Sequence, residues 1–139
     1  MTRVDPAILD TDITSEVLKQ RSAIVGKHSR QYLRSHGQFA ILAVTRFEII
    51  RGYKEVAATT QLARFFTFCG HSLVLPLTDS IFDRAADLWV FARQGGHPCA
   101  DADILIAATA IEHGRRLVTG NAFHFRWIPG LAIDDWRQP

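Results

Sequence analysis

The chain has 139 residues, 47% apolar and 22% charged, with a formal net charge of +2. That size fits one domain, spanning 1–139, that buries a core without staples, and the composition excludes a disordered chain. No apolar run approaches the ~20 residues of a membrane-spanning helix, Met1-Thr2-Arg3-Val4-Asp5-Pro6 lacks the apolar segment of a secretory leader, and so small a charge permits nucleic-acid binding without announcing it, so a cytoplasmic protein is expected. The two cysteines, Cys69 and Cys99, make no disulfide framework and are expected as free thiols packed like small hydrophobes.

In chain order, Ala7-Ile8-Leu9 is a short buried strand that stops at Asp10-Thr11-Asp12. The pattern then predicts a helix over 14 to about 25 and a second over about 27–36, ended by Gly37. The continuous apolar run at 39–44 predicts a strand buried on both faces. It leads through Thr45-Arg46-Phe47-Glu48 into a helix. A helix around 60–68 and a strand at 72–76 follow, then a helix from Ser80 in which Ile81, Ala85, Leu88 and Ala92 share a face. Asp103 opens the next helix, 104–113, closed by Gly114. Strands at 116–119 and 130–133 are separated by a turn at Gly120-Asn121. Alternating short strands and helices predict an α/β layered domain with a mostly parallel sheet.

Ligands of such sheets bind beyond the carboxyl ends of the strands. Asp10, Glu48 and Asp103 stand at those ends or at adjacent helix starts, and carboxylates gathered there repel one another unless a cation lies between them. Hard oxygen donors select Mg2+ or Mn2+. Each acid also has a plainer reading: Thr45-x-x-Glu48 has the spacing of a capping box, Asp103 that of an N-cap, and Asp10 that of a turn residue. Their common edge favours the metal reading.

The segments Ile8-Leu9-Asp10-Thr11-Asp12, Thr45-Arg46-Phe47-Glu48-Ile49-Ile50-Arg51-Gly52, Asp101-Ala102-Asp103-Ile104-Leu105-Ile106-Ala107-Ala108-Thr109-Ala110 and Leu117-Val118-Thr119-Gly120-Asn121, with Ile128-Pro129-Gly130-Leu131 and Trp136, occur in this order. Together they resemble PIN-domain proteins of the VapC toxin type from about Ala7 to Trp136. The resemblance implies a PIN-like three-layer fold and a ribonuclease toxin held by a VapB-type antitoxin. It also implies a homodimer, DNA met only through the antitoxin, and no membrane. Asp10, Glu48 and Asp103 match the family's acidic metal positions. Its frequent fourth acid, in an Asn-x-x-Asp-Phe element, is His124 here, within Asn121-Ala122-Phe123-His124-Phe125. This position could turn to imidazole ligation, or leave Asn121 and a water to complete the shell.

Asp101 and Asp12 are second choices for the missing charge. Thr11 and Thr119 are candidate hydroxyls orienting a ligand or water, and Arg51, three residues after Glu48, a candidate contact to RNA phosphate. The expected reaction is phosphodiester hydrolysis by metal-activated water. The alternative is a partner-binding subunit of a DNA-binding toxin–antitoxin complex with little nuclease activity. A phosphohydrolase built on Asp10-x-Asp12 is weaker, since the rest of its motif is missing. His97-Pro98-Cys99-Ala100-Asp101 offers one thiol and one imidazole, too few locally for zinc. Phe65, Phe66, Phe68 and Trp89 are expected in the core, with Trp127 and Trp136 near the site or a partner.

Overall fold

The computed structural model describes residues 4–97 and 99–139. Met1 to Arg3 and Pro98, which enter the leader and zinc-segment expectations, lie outside the described residues. The elements are β1 (Ala7–Leu9), α1 (Thr11–Lys19), α2 (Ala23–His36), β2 (Ala40–Leu42), α3 (Ala43–Glu55), α4 (Thr59–Gly70), β3 (Leu73–Leu75), α5 (Asp79–Gln94), α6 (Asp101–Glu112), β4 (Arg116–Val118), α7 (Ala122–Phe125) and β5 (Ile133–Asp134). The strands form one sheet in the order β3-β2-β1-β4-β5. Every pairing is parallel, with Leu9 opposite Ile41 and Ile8 opposite Leu117. None of the helices among the described residues is long and apolar enough to cross a membrane.

Side chains alternate across a strand, so the apolar strands feed two cores. Ile8, Ala40, Leu42 and Leu117 face one way and pack with Ile81, Leu88, Ile104, Ala107, Phe125 and Ile128 of α5, α6 and the segment after β4. Ala7, Leu9, Ile41 and Val118 face the other and pack with Ile13, Val25, Tyr32, Ile49 and Phe65 of α1 to α4, and with Trp136. This is the expected three-layer domain. The Tyr32 hydroxyl anchors the start of β1, accepting from the Ala7 amide at 3.0 Å and donating to the Ala7 carbonyl at 3.2 Å.

Several boundaries differ from the sequence expectations. The first helix begins at Thr11, because Asp10 caps it, and it ends at Gln20 in the left-handed region (φ 53°) rather than running to about 25. Ser22 then caps α2 through the Val25 amide, so that helix starts four residues early. β2 stops at Leu42 and α3 starts at once with no side-chain cap, which places Thr45 and Glu48 inside the helix and removes the capping-box reading. α6 starts at Asp101 with Ala100 at its cap, so Asp103 lies in the first turn and is not the N-cap. Phe65 is core, but Phe66 and Trp89 are exposed, each beneath an arginine, Arg46 and Arg93 respectively. Trp136 belongs to the second core, tilted against Tyr32 and Phe39. The last strand falls at Ile133–Asp134, where Arg116 clasps Asp134 through both nitrogens at 2.7 and 2.8 Å.

Candidate active site

An all-parallel sheet brings every strand's carboxyl end to one edge, and β1 is its middle strand. Asp10 is the first residue beyond β1. Its amide donates to the Val118 carbonyl at 2.9 Å, extending the ladder one step. Its Oδ1 accepts from the Ile13 amide at 2.8 Å, and only 7% of the residue is exposed. Thr119, the first residue beyond β4, is fully buried; its hydroxyl bonds the Asp10 carboxyl and accepts from the Asn121 amide at 3.0 Å. Burial pushes the Asp10 carboxyl up to about 6, against the downward pull of the Thr119 and Ile13 hydrogen bonds. Asp12 adds repulsion, and Arg137 weakly offsets it.

Glu48 reaches the same edge from the second turn of α3, which grows directly out of β2. The Thr11 hydroxyl donates to its Oε1 at 2.9 Å, with the Thr45 hydroxyl 3.3 Å from the same Thr11 oxygen. Asp10 and Glu48 are thus coupled through adjacent residues, 10 and 11. Arg51 lies exposed, 3.9 Å from Glu48 Oε2 and over the Phe47 ring.

α6 runs back toward the amino end of β4, so its first turn lies at the carboxyl edge. Asp103 projects from that turn, and its Oδ2 lies 3.0 Å from Nε2 of His124 on α7. Cys99 Sγ is 3.8 Å from the same nitrogen. Burial and the Asp103 charge push the Cys99 thiol up to about 11. Trp127 Nε1 donates to the His124 carbonyl at 2.8 Å and fixes α7. Cys99 is therefore not simply a packed hydrophobe, and its imidazole partner is His124, 25 residues on. The nearby His97 stacks instead on Trp127, ring centroids 5.1 Å apart.

The edge is shared, but the acids do not close into one shell. Among the described residues, the trio of potential ligands with donor atoms all within 4.8 Å of one another is Cys99, Asp103 and His124. Asp12 is exposed in the first turn of α1, and Asn121 is exposed at the start of α7. Asp101 is exposed too, lining an apolar groove with Phe82, Trp89, Ile104 and Leu105. Arg137 escapes sequence reasoning. Its Nε donates to Glu16 at 2.8 Å and its Nη1 to the Gly120 carbonyl at 3.3 Å, bringing a cation to the Asp10 side of the edge. A Cβ at position 120 would lie 2.0 Å from Nη1, so the guanidinium passes directly over the glycine and would have to shift for any side chain there. An isolated Asp-Trp-Arg near the end of a chain gives no signal of this.

These observations define a parallel α/β domain with carboxylates lining the carboxyl edge of its sheet. The chain belongs to the PIN domain family, whose model matches residues 7–126. It is 27% identical over 130 residues to the tRNA(fMet)-specific endonuclease VapC of Shigella flexneri, covering 93% of this chain and 96% of that protein. It superposes on DNA-bound VapBC from Salmonella typhimurium with a TM-score of 0.84 at 25% identity, covering 96% and 99% of the two chains. VapBC2 of Rickettsia felis, bound to a DNA fragment from its promoter, gives the same TM-score at 21% identity, covering 94% and 98%.

Proposed function

We propose that the protein is a divalent-metal-dependent endoribonuclease, the toxin of a toxin–antitoxin pair, acting through Asp10, Glu48 and Asp103. The observation that carries this reading is the presentation of the three carboxylates on one sheet edge, in a chain similar over 93% of its length to a tRNA endonuclease. The oxygen-only donors of Asp10 and Glu48 suit Mg2+ or Mn2+. Such an ion, when bound, supplies Lewis-acid polarisation of the scissile phosphate and acidifies a water for in-line attack.

The chain's own residues place and orient the oxygens. Thr119 and the Ile13 amide fix the Asp10 carboxyl, and the Thr11 hydroxyl fixes Glu48. No side-chain nucleophile is required. Arg51, exposed beside Glu48, is suited to meet RNA phosphate. A VapB-type antitoxin as partner accords with the VapBC complexes among the similar structures, two of them bound to DNA, and the proposal extends to a homodimer that meets DNA through the antitoxin. Exposed Phe82, Trp89 and Val90 supply apolar surface for such partners.

One observation favours a second reading, a partner-binding subunit with little nuclease activity: His124, at the position where the family resemblance implies a frequent acid, is paired with Asp103 at 3.0 Å. Purified protein incubated with RNA and Mg2+ or Mn2+ separates the two. The ribonuclease reading expects cleavage that chelator and Asp10→Asn both abolish; cleavage unaffected by either, or none at all, overturns it.

A further inference from the structure

We infer that Cys99, Asp103 and His124 form a transition-metal site selective for Zn2+ over Mg2+, at one corner of the carboxyl edge. The donor geometry carries the inference. Tetrahedral zinc, with bonds of ~2.3 Å to sulfur and ~2.0–2.1 Å to nitrogen or oxygen, holds its ligand atoms roughly 3.3–3.8 Å apart. Here sulfur and imidazole nitrogen are 3.8 Å apart, nitrogen and carboxylate oxygen 3.0 Å, and all three atoms lie within 4.8 Å of one another. The nitrogen–oxygen and sulfur–nitrogen edges reach tetrahedral spacing with shifts of a few tenths of an ångström, and rotation of the Cys99 and Asp103 side chains sets the third.

The donor chemistry sets the preference. A thiolate and an imidazole are poor ligands for Mg2+ and good ones for Zn2+ or Co2+. Three protein ligands leave a fourth tetrahedral position for water. The supports are built: Cys99 lies just before the Ala100 cap of α6 and Asp103 in the helix's first turn, and Trp127 holds the backbone of His124. All three side chains are half-buried, so an ion can enter from solvent. On binding, the Cys99 thiol releases its proton to water and the sulfur donates its lone pair to the metal.

The inference shares Asp103 with the ribonuclease reading but does not rest on it. The test titrates reduced, chelator-stripped full-length protein with Co2+. Wild type is expected to show a near-ultraviolet sulfur-to-cobalt charge-transfer band at one equivalent, displaced by one equivalent of Zn2+ and untouched by Mg2+. Cys99→Ser is expected to lose the band, His124→Ala to weaken Zn2+ binding at least tenfold, and Cys69→Ser to keep both. Circular dichroism of each variant reports its fold, and Cys69→Ser shows which thiol binds even if one Cys99 variant misfolds. No band in wild type, or a band that survives Cys99→Ser or disappears in Cys69→Ser, overturns the site. Mg2+-dependent RNA cleavage is scored separately: cobalt binding without cleavage removes the ribonuclease reading alone, and cleavage without the band removes this site alone.

Discussion

The two sides of the carboxyl edge are built differently. On one, Asp10 and Thr119 are the first residues beyond neighbouring strands, nearly or fully buried and held by backbone amides, and Glu48 is tied to them through Thr11. On the other, Asp103 and His124 come from the first turn of α6 and from α7, lie about one-third exposed, and pair with each other. A strand end inherits the rigidity of the hydrogen-bonded ladder, whereas a helix turn offers side chains that settle against whatever faces them. The result is one side of oxygen donors, buried at Asp10 and Thr119 and half-buried at Glu48, beside a second of mixed oxygen, nitrogen and sulfur.

Asp10→Asn tests the buried side most severely. RNA cleavage is expected to fall by at least ~100-fold, since an amide cannot supply the negative charge that binds the ion. Metal-free protein is expected to behave in the opposite sense. The carboxyl is raised from 3.8 to about 6 in the fold, so above pH 6 the folded state carries a penalty for the charge that the unfolded state does not. Asparagine removes that penalty and still caps α1. The variant is expected to be more stable than wild type at pH 8 by on the order of 2–3 kcal/mol, a gap that closes as pH falls from 6 to 4. Chemical denaturation at the two pH values checks it; equal stability at pH 8 refutes the buried-charge account.

Thr11→Val removes the hydroxyl that orients Glu48, and Mn2+ affinity measured by calorimetry is expected to drop ~10–100-fold. His124→Asp makes the mixed side resemble the oxygen side. Mg2+ affinity is expected to hold or rise, by up to roughly tenfold or about 1.4 kcal/mol; a drop would show that the imidazole contributes to Mg2+ binding. The smallest effect is expected from Gly120→Ala. The nearest atoms to the added Cβ all belong to the exposed guanidinium end of Arg137, a flexible side chain that can shift, so thermal unfolding should register less than about 0.5 kcal/mol. A larger loss would show that Arg137 ties the C-terminal segment to the sheet edge.

The strands and their two-faced burial were legible because apolar runs such as Phe39-Ala40-Ile41-Leu42 suit a sheet covered on both sides, although Ala43 and Val44 of that run open α3. The positions of Asp10 and Asp103 followed from the chain's direction relative to the sheet. The α1–α2 break was not legible, since Gln20 turns left-handed without glycine, asparagine or proline to mark it. The capping-box spacing at Thr45 misled because β2 passes into α3 without a turn, so the same four residues lie inside the helix. Cys99 was named but discounted, because local spacing offers only His97 and the observed partner arrives from α7 through tertiary packing.

The strand order also fixes when the edge can exist. β1 is central, yet one of its two neighbours is β4, and Thr119, His124 and Arg137 all follow residue 115. A growing chain therefore carries Asp10 before β4, its neighbour in the sheet, and before Thr119 and Arg137 beside it. Trp136 fills the core beneath Tyr32 and Phe39. The edge is assembled only once β4 and the residues beyond it have joined the sheet, so a chain interrupted before β4 lacks the assembled edge.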